Sequence, residues 1–229
     1  MTFEEFPKIP RLNREIVITE KIDGTNAAVV IIDKHEDPVF PTGFGPSAVV
    51  GDWLIFAQSR TRLVTPEKGK DNHGFAAWVS DNADELVQLG PGRHFGEWWG
   101  KGIQRGYGLD HKRFSLFNVG RWYPTQYGTS LAGPPDGLDP APACCHVVPV
   151  LYRGLFNGPQ IEWEVQKLRI HGSVTAPGFM DPEGVIVYHT AANRMFKVTC
   201  KDDEKPKEQV NHESQTVVKR RFARATGSL

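Results

Sequence analysis

At 229 residues, 39% of them hydrophobic, the chain is long enough to bury one substantial core. Its 27 lysines and arginines balance 27 aspartates and glutamates, which excludes a global electrostatic commitment to a polyanion and leaves any polynucleotide contact to local basic clusters. Cys144, Cys145 and Cys200 lack Cys-x-x-Cys spacing and the eight histidines are scattered, which argues against a zinc site and for reduced thiols.

In chain order, the first strand pattern is Glu15 to Lys21, where Ile16, Val17 and Ile18 lead up to a lysine. Gly24 offers a sharp backbone turn into a second apolar strand, Thr25 to Asp33. Pro38 to Pro46 reads as a loop and Val49 to Gln58 as one strand. Between Asn72 and Leu89, Phe75, Ala76, Val79, Leu86 and Leu89 recur at helical spacings, with a break and cap near Ser80-Asp81-Asn82. Phe114 to Val119 is strand-like; Pro124 to Pro142 is proline- and glycine-rich and is expected to be an exposed insertion rather than core. Pro159 precedes a short helix, Ile161 to Ile170, with Ile161, Val165 and Leu168 on one face. Strands follow at Gly184 to Tyr188 and Met195 to Cys200, and then the composition turns polar, ending in the basic run Lys219-Arg220-Arg221-Phe222-Ala223-Arg224. This divides the chain into a domain over 1–200 and a tail over 201–229. No apolar run approaches the ~20 residues that cross a bilayer, and Met1 to Pro10 lacks the features of a signal peptide, so a soluble intracellular protein is expected.

The most informative stretch is Thr19-Glu20-Lys21-Ile22-Asp23-Gly24-Thr25-Asn26, which sets one lysine at a strand end beside a carboxylate and a glycine. A lysine with an ordinary pKa near ~10.4 attacks poorly until it is desolvated or set beside another cation. A lone Lys-x-Asp-Gly is a common accident, but an ordered series follows: Ser59-Arg60-Thr61-Arg62, Phe95-Gly96-Glu97-Trp98-Trp99-Gly100, Phe114-Ser115-Leu116-Phe117-Asn118-Val119, Asp181-Pro182-Glu183-Gly184-Val185-Ile186-Val187 and Phe196-Lys197-Val198-Thr199. From about Glu15 to Lys201 this series resembles the nucleotidyltransferase motifs of ATP-dependent polynucleotide ligases and mRNA capping enzymes. The asparagine in Lys-x-Asp-Gly-Thr-Asn resembles the RNA ligase 2 class most.

The resemblance implies an α+β, ATP-grasp-like nucleotidyltransferase domain of mainly antiparallel sheets flanked by helices, with the active site in the cleft between the sheets. It implies three steps: a lysine attacks the α-phosphate of ATP, AMP passes to a 5′-phosphate end, and a 3′-hydroxyl displaces AMP. Lys21 matches the nucleophile and Lys197 the lysine on the α-phosphate; Glu183 matches the carboxylate that helps hold Mg²⁺ or Mn²⁺. Glu97 would accept from the ribose, Arg60 would hold sugar or phosphate, and Phe117 would stack on adenine; Glu20 would lie beside the purine, with Asp23 and Asn26 orienting. Each also has a structural reading: Phe117 as core, Glu183 as a turn carboxylate and Lys197 as an exposed strand lysine. The implied partner is RNA, or RNA/DNA, with 3′-OH/5′-phosphate ends, and neither a membrane nor an obligate protein partner is expected.

Two features depart from the family pattern. Thr199 stands where a second lysine is usual, with Lys201 two residues on, and too few residues follow Cys200 for a C-terminal barrel. Arg93, Lys101, Arg105, Lys112 and Arg113, with the basic tail, are candidates for the missing polynucleotide surface. The alternatives are a minimal ATP-dependent DNA ligase and a non-catalytic nucleic-acid-binding relic of the fold.

Overall fold

A computed structural model of the chain describes residues 3–35, 44–67, 69–125 and 137–201. Among the described residues, two larger, mainly antiparallel sheets, a separate two-stranded parallel pair and three α-helices make an α+β fold. The smaller sheet has the order β11-β1-β12-β13, built from Val150–Leu155, Glu15–Lys21, Gly184–His189 and Arg194–Thr199. On one face, Ile16, Ile18, Val185 and Val187 pack against Val165 and Leu168 of α3, Gly158–His171. The side chain of Asn157 accepts from the Gln160 N–H at 3.3 Å and so caps that helix, one turn earlier than the apolar spacing alone marks it.

The larger sheet has the order β10-β7-β6-β2-β4-β3, and β5 pairs with β4. These strands are Cys145–Val147, Lys112–Leu116, Gly92–Gly100, Thr25–Asp33, Trp53–Ser59 and Ala48–Val50, with Leu63–Val64 as β5. The centre of β2 is buried on both faces, which is why it reads as a continuous apolar run rather than an alternation. Its Ala27, Val29 and Ile31 join Phe75, Ala76 and Val79 of α1, Phe75–Asp81, and Leu86 of α2, Ala83–Leu86, in the main core. The expected break at Ser80-Asp81-Asn82 is present, and a 3-10 turn, Val87–Leu89, completes the helical segment. No helix among the described residues is long and apolar enough to cross a membrane.

Two expectations need correction. Val49 to Gln58 is not one strand: Gly51 and Asp52 turn the chain between β3 and β4, with Val50 opposite Trp53. The proline-rich stretch is not wholly outside the core, because Asp139–Pro140 (β9) pairs with Trp122–Tyr123 (β8) and Ala141 is buried; residues 126–136 lie outside the described ones, as do 38–43 of the Pro38 to Pro46 loop and the tail from 202. Strands β5, β6, β8, β10 and β11 have no counterpart among the strand patterns of the sequence.

The connection that matters most is Ile22 to Gly24. It carries the chain from β1 in the small sheet to β2 in the large one, and β1 and β2 pair with other strands, so the segment is no hairpin. Lys21 therefore stands at the junction of the two sheets.

Candidate active site

Backbone register fixes the neighbours of Lys21. Across the small sheet Lys21 is opposite Gly184, which is opposite Thr199; one row back, Thr19, Ile186 and Lys197 align. Because side chains alternate along strands, Lys197 shares a sheet face with Lys21, turned away from the α3 core. A Cβ on Gly184 would run into the Val198 carbonyl, so only glycine lets β13 lie this close beside the lysine strand. Lys21 Nζ donates to Glu183 Oε2 at 2.5 Å, with side chains 23% and 19% exposed, so the pair is largely desolvated yet reachable.

A second carboxylate arrives from the large sheet. Asn26 of β2 is opposite Glu97 of β6, and Glu97 Oε1 accepts from the Gly24 N–H at 3.0 Å. Gly24 is required for closeness rather than for a turn: a Cβ there would lie 2.5 Å from the Trp98 carbonyl oxygen and 2.7 Å from Trp99 Cβ. Burial pushes the Glu97 carboxyl up to about 7, against the pull of Lys21 and the Gly24 N–H, with Glu183 and Asp23 adding to the rise. The charges of Lys21, Glu183 and Asp23 thus all bear on the Glu97 carboxyl.

Glu20 points the other way. Its carboxylate, 1% exposed, accepts from Ser173 Oγ at 2.6 Å and from the Val174 and Thr175 N–H groups at 2.9 Å each. Burial raises its pKa even against these three bonds. Its side chain thus pins the loop after α3 under the lysine strand.

The segment between β6 and β7 adds residues whose part in the site sequence reasoning missed. Arg105 Nε donates to Asp23 Oδ2 at 2.9 Å, and its Nη1 donates to Asp181 Oδ2 at 2.6 Å and to the Asp181 carbonyl at 3.0 Å. Lys201 Nζ takes the other Asp181 oxygen at 2.5 Å. Burial works against the Arg105 charge, but Asp181 and Asp23 outweigh it and hold its pKa above the ordinary value. Burial likewise opposes the Asp181 charge, and Lys201 and Arg105 outweigh it, holding that carboxyl below its usual range. Tyr107 Oη accepts from the Asp23 N–H at 2.7 Å, and its ring lies against Trp99 and Phe179 at centroid distances of 5.0 and 4.6 Å. Arg105 is therefore a site residue, not a free surface cation. Lys112, too, is engaged, donating to the His73 carbonyl at 2.6 Å, and Arg113 lies 5.7 Å from the Trp99 ring centroid.

The remaining candidates lie around this centre. Phe117 follows β7, half-buried against the cluster of Ile22, Trp99, Tyr107, Val148 and Ala176. Arg60 and Arg62 are exposed on the turn after β4, where the Ser59 N–H donates to the Arg62 carbonyl at 2.8 Å. Lys197 is exposed on β13, and Lys201, the possible substitute for a lysine at 199, is committed to Asp181.

Among the described residues no group of three or more His, Cys, Asp or Glu side chains is arranged to hold a metal ion. The donor set instead suits a hard divalent ion that keeps most of its waters and takes one protein carboxylate. Glu183 fits that part, since its carboxylate already faces a cation, the Lys21 ammonium of the neighbouring strand.

The comparisons with known proteins follow this geometry. No curated protein matches the chain. Among solved structures, an RNA ligase of Naegleria gruberi in an apo mutant form aligns with TM-score 0.47 and 17% identity, over 82% of this chain and 50% of that one. Two further structures of Naegleria gruberi RNA ligase, a mutant with AMP and Mn and another apo mutant, give TM-scores of 0.48 and 0.49 at 16% identity, over the same shares of the two chains. The chain thus spans about half the length of these structures. The sequence model of the RNA ligase family matches residues 14–199, from the start of β1 to the end of β13 and across every motif described above, and the chain belongs to the RNA ligase family.

Proposed function

We propose that this domain is the adenylyltransferase part of an ATP-dependent RNA ligase and that Lys21 carries the covalent AMP. The observation that carries the reading is the convergence of Lys21 at the end of β1, Glu183 just before β12 and Glu97 of β6, beside the segment where the chain crosses from β1 in one sheet to β2 in the other. A desolvated lysine amid fixed carboxylates, with Lys197 on its sheet face, has the parts that phosphoryl transfer uses: a nucleophile and charges held in place.

In the first step Lys21 Nζ would bond to the α-phosphorus while the bond to pyrophosphate breaks. Nζ is committed to Glu183 at 2.5 Å, so this pair must separate and the nitrogen must give up a proton before it can attack. Glu97, with its carboxyl near neutrality, can hold a proton in the same site at physiological pH. Glu183, once released, is the residue that would hold Mg²⁺ or Mn²⁺, which when bound would neutralise charge on the phosphate oxygens. Lys197 would meet the α-phosphate, Arg60 the sugar or incoming phosphate, and Phe117 the adenine face. Glu97 would accept from the ribose, and Asp23 and Asn26 would orient the loop. AMP then passes from Lys21 to the 5′-phosphate oxygen of an RNA end, and a 3′-hydroxyl oxygen attacks that phosphate and expels AMP.

Sealing of a 3′-OH/5′-phosphate junction by the protein with ATP and magnesium, compared between RNA-terminated and all-DNA 3′-OH strands, tests the substrate. The RNA end should be sealed and the DNA end poorly; 2′-hydroxyls and the wide minor groove of an A-form end permit that distinction. Equal sealing of both would favour a minimal DNA ligase, and binding without sealing a non-catalytic relic.

A further inference from the structure

Arg105 stands in a relation to the reacting pair that no motif position records. It grips Asp23, two residues after Lys21, and Asp181, two residues before Glu183. The two gripped carboxylates belong to different chain segments, 158 positions apart, whose neighbouring residues form the 2.5 Å ion pair. A planar guanidinium can hold two carboxylates at a fixed separation, which an ammonium cannot do with the same geometry. The segment that carries Arg105 is itself anchored: Tyr107, 2% exposed, receives the Asp23 N–H, and Gln104 and Tyr107 take left-handed φ values of 45° and 53°. Such strained backbone persists only where surrounding contacts hold it.

We propose that Arg105 is a positioning residue that sets the separation of Lys21 and Glu183 by bridging Asp23 and Asp181. This rests on the reading of Lys21 as the nucleophile. With the bridge in place, the lysine and the carboxylate meet at one distance and part along one direction when substrate enters. Without it, only the strand pairing of Lys21 with Gly184 links the two segments, the Lys21 and Glu183 side chains sample more separations, and near-attack geometry is populated less often. Lys201 on the far oxygen of Asp181 extends the bridge to the end of β13, the strand that bears Lys197.

The test uses the full chain with Arg105→Lys, Asp181→Asn and the double variant. Single-turnover lysyl-AMP formation at saturating ATP and magnesium should fall at least tenfold in each single variant. The KM for ATP should change less than about threefold and the melting temperature only slightly. The double variant should be no slower than the slower single one, because both remove the same link. Acetic anhydride labelling, read by mass spectrometry, supplies a measure that needs no turnover: acetylation of Lys21 relative to exposed Lys8 should rise at least threefold in both single variants. Unchanged Lys21 labelling, or wild-type adenylation in Arg105→Lys, would overturn the proposal, as would multiplicative losses in the double variant. A silent wild type in the adenylation assay combined with raised Lys21 labelling in the variants would count against the proposed reaction and leave the bridge standing.

Discussion

The Gly24 N–H donates to Glu97 Oε1 at 3.0 Å, and the absence of a side chain at Gly24 is what allows the approach. This contact ties the segment after Lys21 to the large sheet. It explains why a glycine follows the lysine motif in a place where no tight turn exists.

Gly24→Ala should therefore lose both stability and function. Its Cβ would press on the Trp98 carbonyl at 2.5 Å and on Trp99 Cβ at 2.7 Å, both within β6. Overpacking against backbone typically costs about 1–3 kcal/mol, and urea unfolding should show a loss in that range. Lysyl-AMP formation should fall further than the folded fraction explains. A stable, fully active Gly24→Ala would contradict the close approach.

Glu97 makes stability depend on pH. Its folded carboxyl sits near 7, above the ordinary value of 4.5, so the folded state holds the proton more tightly than the unfolded state does. The protonated form favours folding at low pH, and that advantage is lost as pH rises through about 7. Glu97→Gln keeps the acceptor for Gly24 without the charge. Relative to wild type it should gain on the order of 2 kcal/mol between pH 5 and pH 8. Thermal melts of both proteins across that range would check this, and parallel pH profiles would contradict it.

Glu20 is held by three donors, and two variants separate its anchoring from any contact with the base. Glu20→Ala leaves the Ser173 hydroxyl and the Val174 and Thr175 N–H groups without their acceptor, at a cost of about 3 kcal/mol or more. Glu20→Gln can still accept from the two N–H groups and should lose less than about 1 kcal/mol. Equal losses in chemical unfolding would speak against the anchor.

Glu183→Ala and Lys197→Ala should each abolish or nearly abolish lysyl-AMP formation while leaving the melting temperature within a few degrees, since both side chains lie outside the hydrophobic clusters. In Glu183→Ala the defect should persist at raised magnesium or manganese. Wild-type adenylation in either variant would remove that residue from the proposed chemistry.

The parts of this fold that sequence patterns reveal are those where one strand or helix carries its own signal. The apolar runs of β1 and β2, the 3.6-residue spacing of Phe75 to Leu89 and the face of α3 all name their own structure. Motif order leads to the expectation that Lys21, Glu97 and Glu183 lie near one another; the structure has Lys21 paired with Glu183, and Glu97 bonded to the Gly24 N–H three residues on from Lys21. Strand β6 was illegible because Gly92, Gly96 and Gly100 interrupt its pattern, and β11 because its side chains are largely exposed or half-exposed. Arg105 and Tyr107 lie in a segment without periodicity, and their partners are 82 and 84 positions away in the case of Asp23 and 76 for Asp181. Only the cluster of glycines at 100, 102, 106 and 108, bracketing one arginine and one tyrosine, hints at a built loop.

The central claim is a covalent bond on one nitrogen, and α-labelled ATP tests it directly. Incubated with magnesium or manganese, the wild-type protein should retain labelled AMP through denaturation, with the acid lability and base stability of a phosphoramidate. Peptide mapping should place that label on Lys21, and Lys21→Ala should carry none. Label that persists in Lys21→Ala, or a folded wild type that takes none, would contradict the account; preferential labelling by GTP would move the chemistry to capping.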